Sequence, residues 1–101
     1  MKNFELSRRA LRDLQEIWEF ISQDSFDAAD SILEDFYRAF DQLAKMSGMG
    51  HKRQDLTHQD VLFWTVHSYL VIYRDSNPLR IVRVVHGKRD VKNLLKAQPE
   101  K

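Results

Sequence analysis

Apolar side chains recur at intervals of three and four residues in the first half of the chain and at intervals of two in the second. Leu11, Leu14, Ile17, Trp18 and Ile21 follow the first spacing, so Ser7 is expected to cap an amphipathic helix running to about Gln23. After a tight break at Gln23 and Asp24, Ser25 offers a second cap and Asp27 places negative charge in the first turn. Ala29, Leu33, Phe36, Phe40 and Leu43 then form one stripe, Asp27, Asp30, Glu34 and Asp41 lie elsewhere on the cylinder, and Gly48 is a natural stop. So short a link predicts two antiparallel helices whose stripes face the same way.

Before this hairpin, Lys2 to Leu6 alternates as a short half-buried strand does. After it, a polar loop from Ser47 to Asp60 leads into Val61 to His67 and Tyr69 to Arg74, both rich in β-branched and aromatic residues. Asp75 to Pro78 reads as a turn, and Leu79 to Val85 resumes the strand pattern, which predicts an antiparallel meander. Gly87 ends the last strand, Asp90 caps a short helix bearing Val91, Leu94 and Leu95, and Gln98 to Lys101 reads as a frayed tail. Burying each phenylalanine of the second helix contributes roughly 2 kcal/mol, so the hairpin needs a sheet beneath it. The expected class is α+β: an N-terminal strand, a two-helix hairpin on one face of a mostly antiparallel sheet, and a short C-terminal helix. Trp18, Trp64, Phe36 and Phe40 are expected mostly in the core.

Composition narrows the picture. A chain of 101 residues fits one domain, 1–101, and its 43% apolar and 11% aromatic content argues for a folded one. The absence of cysteine excludes disulfide scaffolds, thiolate zinc sites and cysteine nucleophiles, and suits a reducing compartment. Met1 to Arg9 carries charges where a signal peptide needs an apolar run, and no apolar stretch is long enough to cross a bilayer, so a cytoplasmic protein without membrane contact is expected. The net charge of +1 hides an asymmetry: residues 1–46 hold 6 Lys and Arg against 10 Asp and Glu, and residues 47–101 hold 10 against 5. A basic second half attracts an acidic partner or a polyanion.

Candidate chemistry gathers near the C-terminus. His86, followed by Gly87, Lys88, Arg89 and Asp90, has the composition of a general base beside phosphate-binding cations, but the favoured reading is structural: a strand end, a tight turn at Gly87, and local hydrogen bonds from Arg89 and Asp90. Arg74, Arg80, Arg83, Lys88, Arg89, Lys92 and Lys96 make either a basic patch or a solvated face. Arg80 and Arg83 differ in strand parity, so at least one reaches a covered side, where a lone cation is costly. His51, His58 and His67 lack metal-ligand spacing, and no nucleophile elbow or glycine-rich phosphate loop occurs, so neither metal nor cofactor is expected.

Several segments together resemble the RelE/ParE toxin superfamily, and within it the ParE branch. They are Phe4-Glu5-Leu6-Ser7 with Ala10, Asp13, Leu14, Ile17 and Trp18; Gly50, Arg53, Asp55 and Leu56; Tyr69 to Arg74; and Ile81 through Val91 with its His86-Gly87-Lys88-Arg89-Asp90 turn. The resemblance implies a non-enzymatic toxin that binds DNA gyrase and is neutralised by a ParD-like antitoxin, without direct nucleic-acid binding by the toxin alone. Arg74, Arg80, Arg83, His86, Lys88 and Arg89 are then the expected partner-binding residues. The alternative is a RelE-type, ribosome-dependent mRNA endoribonuclease using His86, Arg53, Arg83 and Arg89. Against it, no Phe, Trp or Tyr follows Tyr73, so the C-terminal segment has no ring on which to stack an unpaired base.

Overall fold

The structure, a computed structural model, describes residues 3–97; the expectations for Lys2 and for Gln98 to Lys101 lie outside the described residues. The chain forms β1 (Phe4–Leu6), α1 (Arg8–Ser22), α2 (Phe26–Lys45), β2 (Leu62–Val66), β3 (Tyr69–Arg74), β4 (Leu79–His86) and α3 (Val91–Ala97). Both expected caps form: Ser7 Oγ accepts the Ala10 N–H and Ser25 Oγ accepts the Ala28 N–H, each at 3.0 Å. The Ser7 hydroxyl also donates to the Val82 carbonyl at 2.7 Å, tying the start of α1 to β4. α2 stops at Lys45, short of Gly48, which sits instead in a 3-10 turn over Ser47–Met49.

The sheet runs β1-β4-β3-β2. β2, β3 and β4 form the expected antiparallel meander, and β1 joins β4 in parallel, which only a long crossover permits; here the hairpin, loop and meander supply it. The β3–β4 register shifts once: Ile72 faces Arg83 and Tyr73 faces Ile81, leaving Val82 as an extra residue in a bulge.

Hydrophobic burial occurs on both faces of the sheet. On one, Leu14, Phe36, Phe40 and Leu43 of the hairpin pack with Phe4, Val71, Tyr73, Leu79, Ile81 and Val84. The Phe36 ring lies 5.5 Å from Tyr69 and the Phe40 ring 5.5 Å from Phe4, so the α2 stripe rests on strand residues as its spacing predicts. On the other face, Val91 and Leu95 of α3 cover Val61, Phe63, Ile72, Val82 and Val85. The apolar run around Arg83 reflects this double burial, since a strand with one wet face alternates. Three placements differ from expectation. α1 turns its Ala10–Leu14–Ile17 line inward, which leaves Leu11 51% exposed on its flank, and Trp18 and Trp64 are only half-buried.

Candidate protein-binding site

β1 is too short to cover the whole edge of β4: it pairs only with Leu79, Arg80 and Ile81. Beyond that point α1 completes the edge with side chains. Asp13 accepts the Val84 backbone N–H at 3.0 Å and binds Arg83 through Nε at 2.8 Å and Nη2 at 3.1 Å, while Arg9 Nε approaches it at 3.5 Å. Asp13 and Arg83 are 4% and 3% exposed, a fully desolvated fork-to-carboxylate pair. Arg83 is therefore the arginine on the covered side. It was expected on a partner-facing surface, and the bulge and Asp13 hold it inside instead.

Just past this pair, α1 and the end of β4 diverge. Asp13, Glu16, Ile17 and Phe20 face Tyr69, Val84, Val85, His86 and Arg89 across a cleft of about 370 Å³. Phe20 is 71% exposed, and burial raises the Tyr69 hydroxyl above its usual pKa. The His86 imidazole meets the Tyr69 ring nearly at right angles, 5.3 Å between centroids. Its Nδ1 accepts the Lys88 N–H at 3.1 Å, which in the neutral ring leaves the proton on Nε2. The turn is closed by the Arg89 N–H on the His86 carbonyl, 2.9 Å, and the Gly87 N–H on the Ser68 carbonyl, 2.8 Å. Gly87 does not adopt a positive φ; a Cβ there would sit 3.3 Å from the Ser68 oxygen, so close approach rather than left-handed backbone favours glycine.

The other expected residues are dispersed. Arg74 and Arg80 oppose each other at the far end of the β3–β4 ladder, where Arg80 pairs with Glu5 at 3.4 Å and Arg74 donates to the Asp60 carbonyl at 3.2 Å. Lys88 and Arg89 are exposed and His86 is half-buried. Arg53 forks onto Asp55 at 2.8 and 2.9 Å, which lowers the Asp55 pKa and raises that of Arg53, and it lines a separate depression with Lys52, His58 and Asp60. Of the set His86, Arg53, Arg83 and Arg89, only His86 and Arg89 share a cleft.

Phe20, Glu16 and Tyr69 were not singled out by sequence, nor was Asp13 as the partner of Arg83. Both signals were present: Phe20 is a large apolar residue off the apolar stripe, and Asp13 is a charge on it, between Ala10 and Ile17. Among the described residues no group of three or more His, Cys, Asp or Glu side chains is placed to hold a metal, and no helix is long and apolar enough to cross a membrane.

Residues 4–91 match the family model described as the ParE toxin of type II toxin-antitoxin system, parDE. No curated protein sequence matches the chain. Among solved structures, a chain described as the chromosomal ParDE TA system from P. aeruginosa superposes with a TM-score of 0.68. That match has 17% sequence identity and covers 82% of this chain and 92% of the other, a likeness of fold.

Proposed function

The chain belongs to the ParE toxin family of type II toxin–antitoxin systems, and from that premise we propose that it acts in the cytoplasm by binding DNA gyrase, without catalysis, until a ParD-like antitoxin covers it. The antitoxin lays an acidic, amphipathic segment into the cleft between Phe20 and the His86–Arg89 turn. The observation that carries this reading is the placement, in one cleft, of a largely exposed phenyl ring opposite His86 and Arg89, with Lys88 exposed on the adjoining turn. Covering Phe20 contributes roughly 2 kcal/mol, and Lys88 and Arg89 complement carboxylates on the incoming segment. Arg74 and Arg80, at the other end of the sheet, extend the same basic chemistry for a segment long enough to wrap the molecule.

Binding without catalysis is supported by the state of Arg83: with Asp13 on its guanidinium, it has no free fork to offer a scissile phosphate. The purified toxin should block gyrase supercoiling, and added antitoxin should restore it. An unchanged supercoiling rate at saturating toxin would remove gyrase from the reading. Codon-positioned transcript cleavage after induction, abolished by His86→Ala, would replace binding with ribonuclease chemistry.

A further inference from the structure

A second apolar patch lies on the outer side of the helix hairpin, away from the His86 cleft. The Trp18 indole and the Phe26 phenyl stack 5.8 Å apart at an interplanar angle of 8°, with Phe26 68% exposed. Leu11, half-exposed, lies two turns before Trp18 on the same side of α1. Trp18 Nε1 donates to Asp30 at 2.9 Å, which fixes the indole plane against α2. The two rings are thus held in a parallel stack whose Phe26 member is largely exposed to solvent.

The stretch of α1 and α2 that holds the two rings carries charge of one sign. From Asp13 to Tyr37 the sequence carries eight carboxylates and no Lys, Arg or His. The fold answers two of them, Asp13 with Arg83 and Asp35 with His67 and Arg38. Among the described residues, Glu16, Glu19, Asp24, Asp27, Asp30 and Glu34 have no cationic partner. Of these carboxylates Asp30 touches the stacked rings, holding the indole, while Glu19 and Asp27 are the exposed chain neighbours of Trp18 and Phe26.

We infer that this ledge is a docking surface for a protein segment bearing arginine or lysine next to apolar side chains. A guanidinium laid over the rings gains cation–π attraction and the field of the surrounding carboxylates together. The Lys88–Arg89 turn beside the His86 cleft selects the opposite charge, so the two surfaces take chemically different segments and can be occupied at once.

The full-length chain carrying Trp64→Phe leaves Trp18 as its only indole, because the protein has 2 tryptophans. Titrating it with a helical peptide of leucine and arginine should shift Trp18 emission saturably, and a leucine–glutamate peptide should not. Phe26→Ala and Asp27→Lys, both at exposed positions, should each weaken the arginine peptide about tenfold. Calorimetry on the chain with Trp64 intact should give the same affinity. Binding unaffected by Phe26→Ala would reduce the effect to diffuse charge and overturn the ledge. No saturable binding, or equal binding of the glutamate peptide, would overturn it as well. Self-association without peptide that Phe26→Ala abolishes would assign the surface to a second copy of the chain and overturn the basic-segment assignment.

Discussion

Arg83 and Arg89 are six positions apart, yet the regions around them do opposite work. At Arg83 the chain meets its own carboxylate: α1 brings Asp13 to the edge that β1 leaves uncovered, and the pair closes the fold. At Arg89 the strand has ended, α1 has moved off, and the guanidinium stands at the rim of a cleft beside His86. The two cations have the same chemistry, although Arg83 lies within an apolar strand run and Arg89 in a polar turn. What separates them is whether a carboxylate from elsewhere in the chain arrives within hydrogen-bond reach. A cation answered from within is structural, and one left at an open rim is available to another molecule.

The comparison predicts that changes on the closed side act on stability and changes on the open side act on binding. Asp13→Ala carries the largest expected effect, because it removes the carboxylate that the buried Arg83 guanidinium and the Val84 N–H share. A loss of about 3–5 kcal/mol is expected by denaturant unfolding. A variant near wild-type stability would show that Asp13 is not what closes the edge. Replacing both partners, Asp13→Leu with Arg83→Leu, should recover much of the loss, since no charge is then stranded.

Gly50→Ala comes next. The Gly50 N–H donates to the Tyr73 hydroxyl at 2.9 Å, and a Cβ on Gly50 would lie 2.8 Å from Tyr73 Cε1. Tyr73 is fully buried and cannot swing aside, so overpacking should cost about 1–3 kcal/mol. Full tolerance would mean the loop relaxes away from the sheet. Tyr73→Phe should cost less, about 1–2 kcal/mol, for the loss of the Gly50 bond and of the hydroxyl's donation to the Ser47 carbonyl at 2.6 Å.

That substitution also has a pH signature. Burial, more than any other influence, raises the Tyr73 pKa above its ordinary 10.0. The neutral phenol is favoured in the folded state, so its contribution is complete below pH 10.0 and is lost as pH rises through the raised folded value. Unfolding curves of wild type and Tyr73→Phe measured up the alkaline range should therefore converge. A constant gap would deny the shift.

The periodicities were enough to place both capped helices, the meander and the α2 stripe, because local spacing and capping chemistry determine those features. The bulge at Val82 was not readable. It depends on where β3 slips against β4, and it alters the alternation from which the facing of strand residues is inferred. The same limit explains the site. His86, Lys88 and Arg89 could be picked from one short segment, whereas joining Asp13 to Arg83, or Phe20 to His86, requires knowing how α1 crosses β4. The α3 cover was hidden for a related reason: Val91, Leu94 and Leu95 show that a helix has an apolar side, but not which face of the sheet it covers.

The smallest expected effect on stability tests the open side most directly. Arg89→Ala removes an exposed side chain whose backbone, not its guanidinium, makes the turn's hydrogen bond to His86. Folding stability should stay within about 0.5 kcal/mol of wild type. Antitoxin affinity should nevertheless fall, with most of the change in the association rate and with a weaker salt dependence, since a rim charge steers an acidic segment more than it anchors it. Lys88→Ala should add to the loss in affinity while again sparing the fold. If either variant instead unfolds early and binds antitoxin normally, the rim belongs to the closed side of the comparison, and the division drawn between Arg83 and Arg89 is wrong.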